Sequence, residues 1–507
     1  MTKDRTLWIG GAVATILVHL AFWRGYGWFR DEFYYVACAA HLDYGYVDQP
    51  ALSILPLAVV RAIAGDSLFA IRLIVALVCG AMVFVVGGIA ASLGGGRFAQ
   101  LLAMLCAVIA PVYLALGSFY SMNAFDLLAW AIVGWIAIEL LKEPRPRLWV
   151  ALGVAVGLGF ENKISMLWLA GGLGVGLLLT PERRLLLSRG PWIAAVIAAA
   201  LFTPYLIWQL RHSWFTLEFI RSASANKMAT HSPLAFFLGQ VQDLHPLSAP
   251  VWISGLYFYL VSPEGRRFRT LGIAYVAVFL LLIFDATSRS GYLAAAYTIV
   301  IPAGGVQVER LLSGRWQKAR APVFATLAIA GALVAPMGMP VLPVGTYLSY
   351  SAALGQKPST EEKKEVGELS QFYADRFGWD EIVRGIADAY ATLSPEERRV
   401  AVVFASNYGE AGAVDVLGRA YHLPFATSGH NNYWLWGPPP PGTGSVAIVF
   451  APVTREQLQA RFAQVDEAGT IDCGYCMPYE NHRPVFVARH PKGPSYQERW
   501  SLLRHFD

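Results

Sequence analysis

Long apolar runs divide the first two thirds of the chain, and short polar segments separate them. A helix crossing a bilayer needs about 20 apolar residues. Candidate spans of that kind lie near 7–23, 67–91, 98–116, 122–141, 148–160, 165–180, 191–210, 248–261, 270–285, 292–309 and 321–338. The pair 148–160 and 165–180 is short, and only "ENKI" separates its members, so one long kinked span is the alternative. The polar segments decide between the two counts, because Lys and Arg are retained on the cytoplasmic side. With the amino terminus inside, the inner segments 1–6, 92–97, 142–147, 181–190, 262–269 and 310–320 hold 16 Lys and Arg among 47 residues. The outer segments 24–66, 117–121, 161–164, 211–247 and 286–291 hold 8 among 95. Merging the weak pair would put the last three basic segments outside. The expectation is therefore a mostly α, polytopic helical membrane protein with about 11 spans over 1–338 and its carboxyl terminus outside. The first span follows Lys3 and Arg5 and lacks a small-residue cleavage site after it, as in an uncleaved signal anchor.

The pattern changes after residue 338. Residues 339–507 are polar and read as a soluble α/β domain outside the membrane, periplasmic in a bacterium. "VAVVFAS" (400–406) and "SVAIVFAP" (445–452) predict buried strands. "GEAGAVDVLGRAYH" and "TREQLQARFAQV" predict helices with capping-type starts, and "EEKKEVGELSQFYADRFG" predicts an amphipathic helix. "WGPPPPGTG" predicts a loop.

Composition supports this division. The chain of 507 residues is 55% hydrophobic and only 15% charged, against about 25% charged in soluble proteins. Its net charge of +5 comes from short loops, with no basic stripe for nucleic acid. There is no P-loop and no dinucleotide fingerprint, and the outer loops carry no D-x-D of the nucleotide-sugar enzymes. Cys473 and Cys476 form a lone C-x-x-C, which predicts a small disulfide loop or two free thiols rather than a zinc site. No motif requires a metal.

The outer loops 24–66 and 211–247 are long and every inner loop is short, which directs attention outward. The first begins "WFRDEFYY", with Asp31 and Glu32 directly after a span. Charge at that depth is costly, and a carboxylate at an apolar boundary can serve as a general base. The other reading is a plain interfacial helix end. The segment has the period of a helix along the interface, with Phe33, Val36, Ala37 and Ala40 on one side.

"RDEFYYVACAAHLDYGYVDQPALSILPLAVVRAIAGDSLFAIRL" resembles the start of the GT-C membrane glycosyltransferases of the dolichyl-phosphate-mannose–protein mannosyltransferase type (glycosyltransferase family 39). "SMNAFDLLAW", "GLGFENKISM", "PYLIWQLRHSWFTLEF" and "SRSGYLAAAYTIVIPAGG" extend the likeness over roughly residues 20–310. The resemblance implies a GT-C fold and transfer of a sugar from a polyprenyl-phosphate carrier to an acceptor hydroxyl at the outer face. It makes Asp31 the catalytic base and Glu32 its neighbour and substitute. Outer-face candidates for the donor phosphate are Lys163, Arg72, Arg289, Arg211 and Tyr292. Against these stand snorkelling for Lys163, pairing with Asp66 or a first-loop acid for Arg72, and a plain interfacial place for Arg211 and His212. "SRSGY" keeps one cation and one Tyr of the family's Lys-x-x-Tyr-Tyr-like segment. Asn123 or Asp126 takes the place of a second acid that orients the acceptor or a metal, with helix capping the alternative for Asn123. Asp48 and His245 are further acceptor-side candidates, against roles in a turn and a helix cap. The resemblance leaves room for a divalent ion and requires none. Its partners are a polyprenyl-phosphate sugar, the bilayer and an acceptor that is a protein, lipid or glycan. Two other classes compete: a non-catalytic carrier or flippase of polyprenyl-linked sugar, and a sugar-binding assembly protein.

Overall fold

The structure is a computed structural model that describes residues 4–507. All of the apolar runs are helical. They form α1 (Arg5–Ala21), α4 (Leu68–Ser92), α5 (Arg97–Ile109) with α6 (Pro111–Leu116), α7 (Met122–Lys142), α8 (Pro146–Phe160), α9 (Met166–Leu178), α10 (Arg189–Arg211), α13 (Ala249–Leu260), α14 (Arg269–Ile283), α15 (Tyr297–Leu311) and α16 (Arg320–Gly338). The first outer loop contributes α2 (Arg30–Ala40) and α3 (Ile54–Ala64), and the second α11 (Phe215–Ser222) and α12 (Pro233–Asp243). Among the described residues, five helical stretches are long and apolar enough to cross a membrane: Leu68–Ser92, Met122–Lys142, Arg189–Arg211, Ser290–Leu311 and Gly314–Gly338.

Without a hydrophobic drive between helices in lipid, close approach through small residues holds such a bundle together. Gly153 and Gly157 of α8 face Ala194 and Ala198 of α10, where an added Cβ would lie 2.7 Å from Ala194 O and 3.1 Å from Ala198 Cα. Gly255 of α13 and Gly304 of α15 meet each other's helix backbones more closely still. Local signals set the helix ends. Pro111 and Pro146 open α6 and α8, and Ser121 caps α7 by accepting the Asn123 N–H.

Beyond α17 (Val344–Ala353) and the short α18 (Gln371–Ala374) lies a five-stranded sheet of order β2-β1-β3-β5-β4. Strand β1 (Ala401–Ala405) runs parallel to β2 (Ala426–Thr427) and β3 (Val446–Phe450). Strand β5 (Arg483–Pro491) runs antiparallel to β3 and to β4 (Phe462–Ile471), with Ile448 opposite Val487 and a register shift between Glu467 and Gly469. α19 (Trp379–Ala391), α20 (Pro395–Val400) and α21 (Tyr408–Leu417) precede and follow β1. α22 (Asn431–Leu435) and α23 (Arg455–Gln459) lie in later connections. One face of the sheet buries Val403, Ile448 and Val487 with Ile382 and Ile386 of α19. The other buries Val402, Val449 and Phe486 with Leu458 of α23.

The two expected buried strands are present as β1 and β3, and Cys473 is disulfide-bonded to Cys476. Three expectations are corrected. "EEKKEVGELSQFYADRFG" is helical only at Gln371–Ala374, because Glu362 is drawn into a β-bridge with Met228 of the second outer loop. "TREQLQARFAQV" stops being helical at Gln459, and from Phe462 it is β4, paired with β5. The helix α2 does not lie on an interface. It is buried on nearly every side, with Phe33 in the core of the β-sheet unit and Tyr34, Tyr35 and Cys38 packed with Tyr120, Ile71 and Tyr408.

The contact between α2 and α21 joins the two parts, and Gly412 permits it. A Cβ there would lie 2.7 Å from Phe33 Cβ and 3.0 Å from the Phe33 backbone. Gly412→Val should therefore destabilise the protein by about 1–3 kcal/mol, read as a lower midpoint of thermal unfolding in detergent. Gly171→Ala, with open space around its Cβ position, should leave that midpoint at or slightly above wild type.

Candidate active site

Asp31 and Glu32 are adjacent in the first turn of α2, so their side chains leave the helix about 100° apart. The structure sends them to different places. Glu32 points into the helical bundle and is fully buried. Its Oε1 accepts from Arg72 Nε and from the Tyr120 N–H, both at 2.9 Å. Its Oε2 accepts from Arg72 Nη2 at 2.6 Å and from the Phe29 N–H at 2.9 Å. A carboxylate has about four acceptor positions, and all are taken. Arg72 also donates to the carbonyls of Trp23 and Gly27. Of the two pairings open to Arg72, the structure makes the one with a first-loop acid, and Asp66 pairs with Arg61 at 2.6 Å.

Asp31 turns away from the bundle toward Tyr408 of the β-sheet unit, and its side chain is about one third exposed. Its Oδ1 accepts from the Tyr408 hydroxyl at 2.9 Å, and Arg30 Nε lies 3.7 Å away. Its other oxygen takes no hydrogen bond among the described residues. Tyr408 is fixed in turn by its ring contacts with Tyr34 at 4.7 Å and His430 at 4.8 Å.

Asp48 lies close enough to feel the charges of Asp31 and Lys227. The Tyr34 hydroxyl lies 2.9 Å from Asp48 Oδ1 and 2.8 Å from Asn432 Oδ1, and Asn432 also accepts the Val47 N–H at 2.8 Å. Burial is the main reason the Asp48 carboxyl is pushed up to about 6. Beside it Gln49 is fully buried, and neither amide atom has a hydrogen-bond partner.

A second group lies where the spans meet the outer loops. Lys163 Nζ donates to Asn123 Oδ1 at 2.7 Å, lies 3.7 Å from Asp126 and sits over the Tyr292 ring at 5.9 Å. Asp126 accepts from Ser165 at 2.8 Å through one oxygen, and its other is buried without a partner. Ser121 rather than Asn123 caps α7, which leaves the Asn123 side chain free to hold Lys163. Arg289 joins this group to a cluster around Glu362. Its Nη2 is 3.3 Å from Glu362, while Lys227, Arg30 and Lys364 stand 3.9, 3.8 and 3.7 Å from the same carboxylate.

Two other candidates lie apart from these contacts. Arg211 is exposed at the end of α10 and makes no ion pair among the described residues. His245 is buried, and its Nδ1 accepts the Leu247 N–H at 3.2 Å, which is the capping role.

Sequence reasoning missed Tyr408, Asn432, Lys227, Gln49 and Glu362. Only Gln49 adjoins a motif residue, and the others come from segments whose proximity no local pattern reveals. Among the described residues, one group has the composition of a metal site: His430, His505 and Asp507, with ligand atoms within 4.8 Å of one another. His430 Nδ1 accepts the Tyr408 N–H, so Nε2 carries the proton and donates to Asp507 at 2.9 Å. Burial pushes the imidazole down to about 4 and keeps it neutral.

Residues 48–208 match the family model of the dolichyl-phosphate-mannose-protein mannosyltransferases. The chain is 25% identical over 294 residues to the lipid A galacturonosyltransferase RgtD of Rhizobium johnstonii. That alignment takes in 57% of this chain and 62% of the relative, so it spans less than two thirds of that protein's length. The fold superposes on crystal structures of ArnT from Cupriavidus metallidurans. The TM-score is 0.62 for the apo state, at 17% identity, and 0.60 for the form bound to undecaprenyl phosphate, at 15% identity. Each superposition covers 97% of this chain and 99% of the other. The apo oligosaccharyltransferase of Archaeoglobus fulgidus superposes at a TM-score of 0.50 and 11% identity, over 83% of this chain and 64% of the other. The chain thus has the integral-membrane GT-C fold, and the resemblance read from its outer-loop motifs is borne out.

Removing one partner of a buried ion pair strands the other charge and costs about 3–5 kcal/mol. Glu32→Ala and Arg72→Leu should each lower the thermal unfolding midpoint in detergent far more than Asp31→Asn does. Equal midpoints for Asp31→Asn and Glu32→Ala would refute the division between the two acids.

Proposed function

We propose that this chain is a glycosyltransferase that moves a monosaccharide from a polyprenyl-phosphate donor to an acceptor hydroxyl at the outer face of the membrane, with Asp31 as the base. One observation carries the reading. Of the two adjacent carboxylates, only Asp31 is partly exposed with one oxygen free of hydrogen bonds among the described residues, and its other oxygen is held by Tyr408.

The chemistry follows from that placement. The free oxygen of Asp31 takes the proton of the acceptor hydroxyl as the acceptor oxygen attacks the anomeric carbon. The bond from that carbon to the phosphate oxygen breaks, and the phosphate leaves with the electron pair. A phosphate is a good leaving group, so it needs nearby positive charge rather than an acid. Lys163 and Arg289, with Tyr292 between them, supply that environment. Asp126 and Asn123 act through Lys163, which they orient. Asp48 and Gln49 line the acceptor side. RgtD is named for galacturonosyl transfer to lipid A, and undecaprenyl phosphate is the ligand named for ArnT. The first supports sugar transfer and the second a lipid-phosphate carrier. The distribution of basic loops favours a cytoplasmic amino terminus and a periplasmic β-sheet unit at a bacterial inner membrane, with about 11 spans and the two parts meeting near residue 338.

Purified protein incubated with a panel of polyprenyl-phosphate sugars and a hydroxyl-bearing acceptor fraction extracted from bacterial envelopes should consume one donor, followed by mass spectrometry. Losing a positioned base costs about 10²–10⁴-fold in rate, and Asp31→Asn should show that loss with undecaprenyl phosphate binding intact. Wild-type consumption by Asp31→Asn would reject Asp31 as the base, and failure of every donor would reject the class of reaction. Hydrogen bonds to charged groups are worth about 1.5–3 kcal/mol, so Tyr408→Phe should lower kcat roughly tenfold or more while leaving the donor KM near wild type.

A further inference from the structure

Glu362 sits in an environment built for a larger anion than itself. It lies in the polar segment between α17 and α18, outside the helical bundle, and is buried. Cations from four separate parts of the chain surround it. Arg30 comes from α2, Lys227 from the second outer loop, Arg289 from the turn before α15 and Lys364 from its own segment. Their nitrogens stand 3.3–3.9 Å from the carboxylate oxygens. Only Arg289 comes within hydrogen-bond distance. The Nε groups of Arg30 and Arg289 are buried with no hydrogen-bond partner, and so is Oε2 of Glu362. Burial raises the Glu362 carboxyl, but these cations, Arg30 foremost, override it and hold it at about 2. Burial, reinforced by Arg30 and Lys364, lowers Lys227, although Glu362 opposes this. Acids at the margin are Glu361, 3.6 Å from Arg289, and Asp31 and Asp375, 3.7 and 3.5 Å from Arg30.

Only one of the four cations comes within hydrogen-bond distance of the two carboxylate oxygens. A phosphate offers more oxygens on a wider tetrahedral frame, and guanidinium groups suit it. The segment that delivers Glu362 is anchored by the bridge to Met228, with Lys363 N–H donating to Lys227 O at 2.8 Å and Ala229 N–H to Glu361 O at 3.0 Å. Lys363 Nζ also donates to Ala225 O, Lys364 Nζ stands 4.4 Å from the Tyr479 ring centre, and Thr360 and Ser359 bond to Gln371 and Ser370. None of these partners belongs to a strand of the sheet or to a spanning helix, so withdrawing Glu362 leaves both intact.

We infer that Arg30, Lys227 and Arg289 form an anion site for the phosphate of a lipid-linked ligand, and that Glu362 occupies it as an internal substitute which the ligand must displace. This rests on the transferase reading above, since the site adjoins Asp31 through Arg30 and Tyr292 through Arg289. Apparent affinity falls with the fraction of protein whose site is open. Removing the competing carboxylate therefore strengthens binding.

The test measures binding of undecaprenyl phosphate to the detergent-solubilised full chain, wild type and Glu362→Gln, with inorganic phosphate as a second probe. Trypsin cleavage after Lys363 and Lys364 is followed in parallel in the wild type. The inference expects Glu362→Gln to bind the lipid roughly fivefold to tenfold more tightly. It also expects the lipid to accelerate cleavage in the wild type severalfold. Lipid binding that is unchanged or weaker in Glu362→Gln, with the segment still protected, would overturn the displacement while leaving the transferase reading in place. A response to inorganic phosphate as strong as to the lipid would overturn the assignment to a lipid headgroup. No binding of the lipid by the wild type would overturn the transferase reading and this inference together.

Discussion

The buried pair of Glu32 and Arg72 is the constraint on which the site depends. Desolvating two full charges is expensive, and such a pair persists only when further hydrogen bonds support both partners. Here two backbone N–H groups donate to the carboxylate and two carbonyls accept from the guanidinium. The consequence is geometric. The pair ties the end of the first span, the start of α2, the body of α4 and the turn before α7 to one point. With Glu32 locked inward, the preceding side chain on the helix must leave in another direction. Asp31 is aimed away from the bundle, at Tyr408, because its neighbour is not free to turn.

The β-sheet unit is part of this arrangement rather than an appendage. It receives Phe33 into its core, clasps the turn at Val47 and Asp48 through Asn432, and reaches Asp31 with the Tyr408 hydroxyl. A base at a membrane boundary needs one oxygen oriented and one oxygen free, and the membrane helices alone do not supply the orienting donor. The cations are divided in the same way. Lys163 and Arg289 come from the bundle, while Lys227 and Lys364 come from segments that lie between the bundle and the sheet unit.

Much of this was legible in the sequence, for identifiable reasons. Apolar runs and the asymmetry of basic loops located the helices, because both follow from the cost of burying charge in lipid. The two continuous apolar strands announced themselves as β1 and β3. The first-loop motif located the acids but could not divide them. Asp31 and Glu32 are chemically alike and adjacent, and their separation depends on Arg72 and Tyr120, which lie far along the chain. The charged segment around 361–378 has a helical spacing of polar and apolar residues, yet its conformation is set by a bridge to Met228 and by four cations. Pattern carries no information about either partner. Tyr408 and Asn432 lie in segments whose local pattern says nothing about which distant acid or turn they meet.

The central claim is that one carboxylate of the pair takes a proton and the other only holds the helix. Chemical rescue tests it most directly. Asp31→Ala should lose donor consumption, and added formate should restore part of it in a concentration-dependent way, since a small carboxylate can enter the vacated, partly exposed position. Glu32→Ala should gain nothing from formate. Donor consumption by Asp31→Ala at the wild-type rate, or rescue of Glu32→Ala instead, would contradict the account.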